Sequence, residues 1–193
     1  LYSALKAGSP MVVTAGQQDT RMRLRDPLLG HDLVAMAAPV TKWSVQAERA
    51  DELGPLLRRA FKIANDPPAG PVFVALPIDV MEQETSVAAI GPGTLYRATR
   101  PDPEGVADVA RLLLASRNPV IVAGDDVARA AATDRLVALA ERIGAPVWVE
   151  GLRAHLAFPA AHAYARGAVP FDAATIRKAL DGADLVLLAG GPF

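Results

Sequence analysis

The chain has 193 residues with 20 Lys or Arg against 21 Asp or Glu, a net charge of -1, so it has no basic field to gather phosphates and no nucleic-acid partner is expected. Apolar residues make up 51% and charged ones 21%, a globular balance that excludes disorder as the default and suits one large domain or two small ones. Cysteine is absent and no apolar run approaches a membrane span, which removes disulfides, thiolate catalysis and cysteine metal sites, and points to a cytoplasmic chain away from membranes.

Short apolar runs alternate with longer stretches of period near 3.6, the pattern of strands and crossover helices in parallel sheets. The fold class expected is α/β, with two parallel-sheet, helix-flanked units. Leu1 to Ala7 reads as a helix tail ended at Gly8, and Pro10 to Ala15 as a strand bounded by Gly16. A helix is predicted over Asp26 to Ala37, an extended segment over Val40 to Val45, and a helix over Ala50 to Asn65. In that last helix Leu53, Leu56, Leu57, Ala60, Phe61 and Ala64 are expected to form one buried face. Asp66 to Gly70 breaks it, and Pro71 to Leu76 reads as a strand buried on both faces, ended by Pro77.

Periodicity then lapses, and Gly91, Pro92, Gly93, Pro101 and Pro103 mark a linker. The domain organisation expected is residues 1–85, a linker over 86–102, and a second unit over 103–193. That unit is predicted to hold helices at Glu104–Ser116, Ala128–Ile143 and Ala173–Leu180, with strands at Pro119–Ala123, Pro146–Val149 and Leu185–Leu188. The chain contains 38 alanines, so its core should be thin and its helices closely packed.

Chemistry is sparse. His31, His155 and His162 lie far apart, without the spacing that presents two ligands on one helical face, and no metal site is expected. None of the serines sits in a Gly-x-Ser-x-Gly elbow. The segment Val122-Ala123-Gly124-Asp125-Asp126 occupies the strand-to-helix position of a dinucleotide loop, but the Gly-x-Gly-x-x-Gly pattern fails and Asp126 would repel a phosphate. An acidic helix start that complements the dipole is the plainer reading. Arg21, Arg23 and Arg25 are either an anion site or a solvated patch. Trp43 and Trp148 read as packing residues.

Longer blocks carry more information. Ser9-Pro10-Met11-Val12-Val13-Thr14-Ala15-Gly16-Gln17-Gln18, Val40-Thr41-Lys42-Trp43-Ser44 and Gly70-Pro71-Val72-Phe73-Val74-Ala75-Leu76-Pro77 follow one another in order. Asn118 to Gly124, Ala145 to Val149, His162 to Gly167 and Asp184 to Gly190 continue the series. Together they resemble the thiamine diphosphate-dependent decarboxylase and acetolactate synthase superfamily, most closely its benzoylformate decarboxylase branch, across nearly the whole chain.

The resemblance implies that residues 1–85 are the back of a pyrimidine-binding domain and that 103–193 are a truncated middle domain. The chain is then a fragment of a 2-keto acid decarboxylase. Such enzymes use thiamine diphosphate and Mg²⁺ and assemble as homo-oligomers, dimers or tetramers. The family's activating glutamate and its Gly-Asp-Gly motif are expected outside these residues. No catalytic, cofactor-binding or metal residue is assigned here, and the fragment alone is expected to be inactive. By the same resemblance no FAD is expected, because Asp126 departs from the glycine-rich loop of flavin-binding members. His162 is expected to be a surface histidine.

The segment after Gln17-Gln18 reaches the substrate cavity in the family, which assigns Leu28 and Leu29 to the substrate pocket. Acetolactate synthases carry Phe-Gln there, and leucine in place of a hydrogen-bonding glutamine suits an aromatic or branched 2-keto acid. The plainer alternative has both leucines starting the apolar face of the helix from Asp26. A carboligase of the acetolactate synthase kind, and a noncatalytic Rossmann-like nucleotide-binding or scaffold domain, stand as alternative functions.

Overall fold

The computed structural model describes residues 1–88, 90, 91, 93 and 100–191. The chain divides into two compact units, Leu1–Thr99 and Arg100–Phe193. Parts of the expected linker over 86–102, namely 89, 92 and 94–99, lie outside the described residues.

The first unit runs α1 (Tyr2–Lys6), β1 (Met11–Gln17), α2 (Leu33–Ala37), β2 (Trp43–Gln46), α3 (Leu53–Asn65), β3 (Pro71–Pro77) and α4 (Ile78–Met81). Its three strands are parallel in the order β1-β3-β2, with Val12 opposite Val72 and Val45 opposite Val74. β3 is central and reads as a continuous apolar run because both of its faces are covered. Val72 and Val74 pack with Leu56, Ala60 and Ala64 of α3, while Phe73 and Ala75 pack with Ala37 of α2. The alternation follows from the two-residue period of a strand.

Two expectations for this unit are corrected. Phe61 is 57% exposed; at 100° per residue it falls outside the arc centred on Ala60 and Ala64. The single helix expected over Asp26–Ala37 is absent. Thr20–Arg25 forms a 3₁₀ helix, Asp26 adopts a left-handed φ of 47°, and α2 begins only at Leu33. Pro27 disfavours a helical residue before it, and aspartate tolerates the left-handed region better than most. A turn closed by the Gly30 N–H on the Pro27 carbonyl at 2.9 Å takes up the slack. Asp32 then caps α2, its Oδ1 accepting the Ala35 N–H at 2.8 Å. Asp32→Ala should lower stability by about 1 kcal/mol, read as a shift in urea midpoint.

The C-terminal end of α3 is capped from β2's side of the sheet. Lys42 Nζ donates to the Ile63 carbonyl and, at 2.6 Å, to that of Asp66, which satisfies carbonyls the helix leaves open. Desolvation lowers the Lys42 pKa, with Asp66 opposing.

The second unit contains α5 (Pro103–Ala115), β4 (Pro119–Ala123), α6 (Asp125–Arg129), α7 (Thr133–Ile143), β5 (Val147–Val149), β6 (Ala165–Ala168), α8 (Ala173–Ala179) and β7 (Leu185–Ala189). Its sheet is parallel, in the order β6-β5-β4-β7. Ile121 and Val147 meet Leu136 and Ala140 of α7 and the side chain of Phe158 in the core. Both units are α/β.

The helix expected over Ala128–Ile143 is two helices. Ala131 takes a φ of 52°, its N–H bonds the Ala128 carbonyl, and the Ala132 N–H reaches back to Val127, both at 2.9 Å. That is a Schellman closure, for which an alanine run carries no sequence signal. β6 was not foreseen either. Ala-Arg-Gly-Ala has no strand signature, and its pairing with β5 is irregular between Val147 and Val149.

Candidate functional site

In parallel α/β sheets, ligand-handling groups gather beyond the carboxyl ends of the strands. In the first unit these ends deliver Gln17 from β1 and Gln46 from β2, with Asp79 just past β3. Between β1 and α2 the chain makes a long loop, residues 18–32, that is tied down by polar groups. Gln17, only 9% exposed, donates from Nε2 to the His31 carbonyl at 2.8 Å, and its Oε1 accepts the Gln18 N–H at 2.8 Å. Asp79 accepts from Thr20 twice, the N–H at 3.0 Å on Oδ1 and the hydroxyl at 2.6 Å on Oδ2. Asp19 caps the 3₁₀ turn and pairs with Arg21. That hydrogen bond is the main cause that brings the Asp19 carboxyl down to about 2.

A cavity of about 490 Å³ opens beside this loop, lined by Gln17, Arg23, His31, Asp32, Ser44, Gln46, Glu48 and three further residues. It offers amide, hydroxyl and charged groups of both signs. Leu28 and Leu29 do not line it. They project from the same loop at 99% and 72% exposure, in the turn that precedes α2, which removes the alternative of a helical apolar face. Of the three arginines, Arg23 faces the cavity, Arg21 is paired with Asp19, and Arg25 is exposed. The Gln17 and Asp79 ties were not singled out from sequence, because one joins residues 14 apart and the other residues 59 apart.

In the second unit the loop after β4 is closed upon itself. The Gly124 N–H donates to Ala189, the Asp126 N–H to Gly190 at 2.7 Å, and the Val127 N–H to Gly124. A phosphate would have to displace the chain's own carbonyls there, which argues against the nucleotide-binding alternative. Asp125, 6% exposed, accepts the N–H groups of Ala154 and His155 at 2.8 and 2.9 Å, and Arg129 lies 3.5 Å away. Burial first, then the neighbouring Asp125 carboxylate, pushes the Glu150 carboxyl above its usual range, with Arg129 opposing. The folded chain therefore holds the Glu150 proton more tightly than the unfolded chain does. Stability falls as pH rises through the raised value. Glu150→Gln should raise the urea midpoint at neutral pH, and the gain should vanish below the ordinary glutamate range.

His162 is half-buried rather than a free surface group. Its ring meets Phe158 edge-on at 5.0 Å, Nδ1 accepts the Tyr164 N–H at 3.2 Å, and Nε2 lies 3.2 Å from Glu141. An accepting Nδ1 places the ring proton on Nε2, donating to Glu141. Trp43 packs beneath the Arg59 guanidinium at 4.7 Å.

Among the described residues, no three His, Asp or Glu side chains converge to hold a metal ion, and the amides of the turn after β4 are already spent. That turn, with Asp126 in it, does not fit a diphosphate.

Two parallel, helix-flanked sheets with polar groups at their strand ends define an α/β protein. Residues 106–193 match the family described as thiamine pyrophosphate enzyme, central domain. Benzoylformate decarboxylase of Pseudomonas aeruginosa is 35% identical over 195 residues, covering 100% of this chain and 37% of that protein. Acetolactate synthase of Mycobacterium bovis is 32% identical, covering 95% and 30%. Among solved structures, benzoylformate decarboxylase from Polynucleobacter necessarius superposes with a TM-score of 0.86 at 34% identity, covering 97% of this chain and 35% of that one. The thiamine diphosphate-dependent 4-hydroxybenzoylformate decarboxylase of Rhodococcus jostii RHA1 gives 0.84 at 30%, covering 97% and 36%. The chain belongs to the thiamine diphosphate-dependent enzyme family, and it spans about a third of the length of the relatives it matches. No helix among the described residues is long and apolar enough to cross a membrane.

Proposed function

We propose that this chain is the cavity-shaping part of a thiamine diphosphate-dependent 2-keto acid decarboxylase that acts on an aromatic or branched 2-keto acid of the benzoylformate type. The observation that carries the reading is the apolar pair Leu28 and Leu29, presented from the loop beyond β1 in a chain alike along its whole length to benzoylformate decarboxylase. Residues 1–85 are assigned to a pyrimidine-binding domain, 86–102 to a linker and 103–193 to the middle domain. The cofactor and Mg²⁺ are held by residues outside this chain, in a homo-oligomeric cytoplasmic enzyme. Bound thiamine diphosphate supplies the electron sink for loss of carbon dioxide. This chain's contribution is an apolar wall against which an aryl group loses its water, while Gln17 and its neighbours keep the loop in place.

The purified chain with thiamine diphosphate and Mg²⁺ should show no calorimetric binding at micromolar concentrations; stoichiometric binding would overturn the assignment of the cofactor to other residues. Closed amides after β4, together with Asp126, support a flavin-free protein, so a flavin band in its visible spectrum would count against the reading. In the longer enzyme, Leu29→Gln should lower the preference for benzoylformate over pyruvate by about tenfold, measured as the ratio of kcat/KM values. An acetolactate synthase-like carboligase is the second reading, favoured by the similarity to that enzyme. Acetolactate formed from pyruvate in place of benzaldehyde from benzoylformate would select it.

A further inference from the structure

The loop over 18–32 displays the side chains that the functional reading places against substrate, yet it has little apolar anchorage of its own. None of Thr20–Arg25 is buried, Leu24 and Leu28 are 100% and 99% exposed, and Leu29 is 72% exposed. A loop with so few buried contacts is held by its hydrogen bonds, and those bonds decide where its tip stands. Gln17 secures the far end at the His31 carbonyl. The near end is secured by Asp79, which stands on the first turn of α4 and grips both the amide and the hydroxyl of Thr20. Because Asp79 follows directly on β3, the central strand, this tie fastens the loop to the most buried element of the unit.

We infer that Asp79 is a positioning residue, whose two bonds to Thr20 set the placement of the loop that carries Leu28 and Leu29. The bonds from Thr20 also hold the Asp79 carboxyl below its usual range, against the opposing charge of Asp19, so the acceptor is ionised at neutral pH. The lock itself is independent of the enzyme's identity; its consequence for substrate rests on the decarboxylase reading above.

Limited trypsin digestion of this chain tests the lock, because Arg21 and Arg23 lie within the loop. Asp79→Ala should speed cleavage after these two residues roughly tenfold, and Thr20→Val several-fold. Thr20→Ser keeps amide and hydroxyl and should cleave like the parent. Cleavage after Arg58 and Arg59 in α3 should not change in any variant. Parent-like rates at Arg21 and Arg23 in both Asp79→Ala and Thr20→Val overturn the proposal, as does equal acceleration at Arg58 and Arg59, which reports unfolding of the whole unit. In the longer enzyme, Thr20→Val should raise KM for benzoylformate several-fold with kcat nearly unchanged, and Thr20→Ser should restore KM. A kcat loss at constant KM overturns the positioning role. An enzyme that never turns over benzoylformate sinks the functional reading and leaves the digestion result to decide the lock.

Discussion

Replacing Asp125 by alanine should lower the stability of the second unit by about 3 kcal/mol, since two part-buried N–H groups then lose a buried, charged acceptor, a bond worth roughly 1.5–3 kcal/mol each. Asp125 is 6% exposed and its oxygens take the amides of Ala154 and His155. Those residues start the segment that delivers Ala157 and Phe158, 1% and 2% exposed, into the core beside Ile121 and Val147. Removing the carboxylate therefore frees the strap that carries the largest core side chain of the unit. Arg129 would keep Asp126, 2.6 Å away, as a partner, so the loss falls mainly on the backbone amides. Asp125→Asn retains one oxygen acceptor and should cost about half as much. Urea unfolding followed by Trp148 fluorescence in a Trp43→Phe background isolates this unit. A parent-like midpoint for Asp125→Ala would show that the 154–155 amides find other acceptors.

Gly124→Ala should be comparably severe, about 3 kcal/mol, through overpacking against backbone that cannot rotate away. A Cβ at Gly124 would lie 2.5 Å from the Gly191 Cα and 2.6 Å from the Gly190 carbonyl oxygen. Moving that segment means breaking the Gly124-to-Ala189 and Asp126-to-Gly190 bonds, at 2.8 and 2.7 Å. Gly190 is constrained twice over, by a φ of 72° and by the Val127 N–H 2.7 Å from where its own Cβ would stand. In contrast, Gly16 has open space at its Cβ position, so Gly16→Ala is the control. The same urea measurement should place Gly124→Ala far below the parent, and its counterpart for the first unit, Trp43 fluorescence in a Trp148→Phe background, should place Gly16→Ala near the parent.

These two residues show why the site was harder to read than the fold. Gly124-Asp125-Asp126 stands where a nucleotide loop would, and its chemistry was argued from a failed glycine pattern and a repelled phosphate. Its actual work is structural, joining β4 to β7 and to the strap before Phe158, and those partners lie 29 to 67 residues away. For Leu28 and Leu29, the family resemblance singled out the segment after Gln17-Gln18, but their exposure depends on Asp26 and Pro27 ending one turn before another begins. Phe61 was misread for a similar reason: it is apolar and near the stripe, while burial is decided by which arc of the helix meets β3.

What the sequence determined alone was the order of six of the seven strands and of most helices between them, the α/β class, the double burial of Pro71–Leu76 and the family, because these follow from periodicity, glycine and proline punctuation and long ordered blocks. What only the tertiary structure decided was which short polar residues hold loops in place: Asp79 on Thr20, Gln17 on His31, Lys42 on the end of α3, Asp125 on the 154–155 amides. The physical reason is range. A helix or strand records its period within a dozen residues, whereas a carboxylate or an amide declares its partner only when folding brings distant backbone within hydrogen-bonding distance.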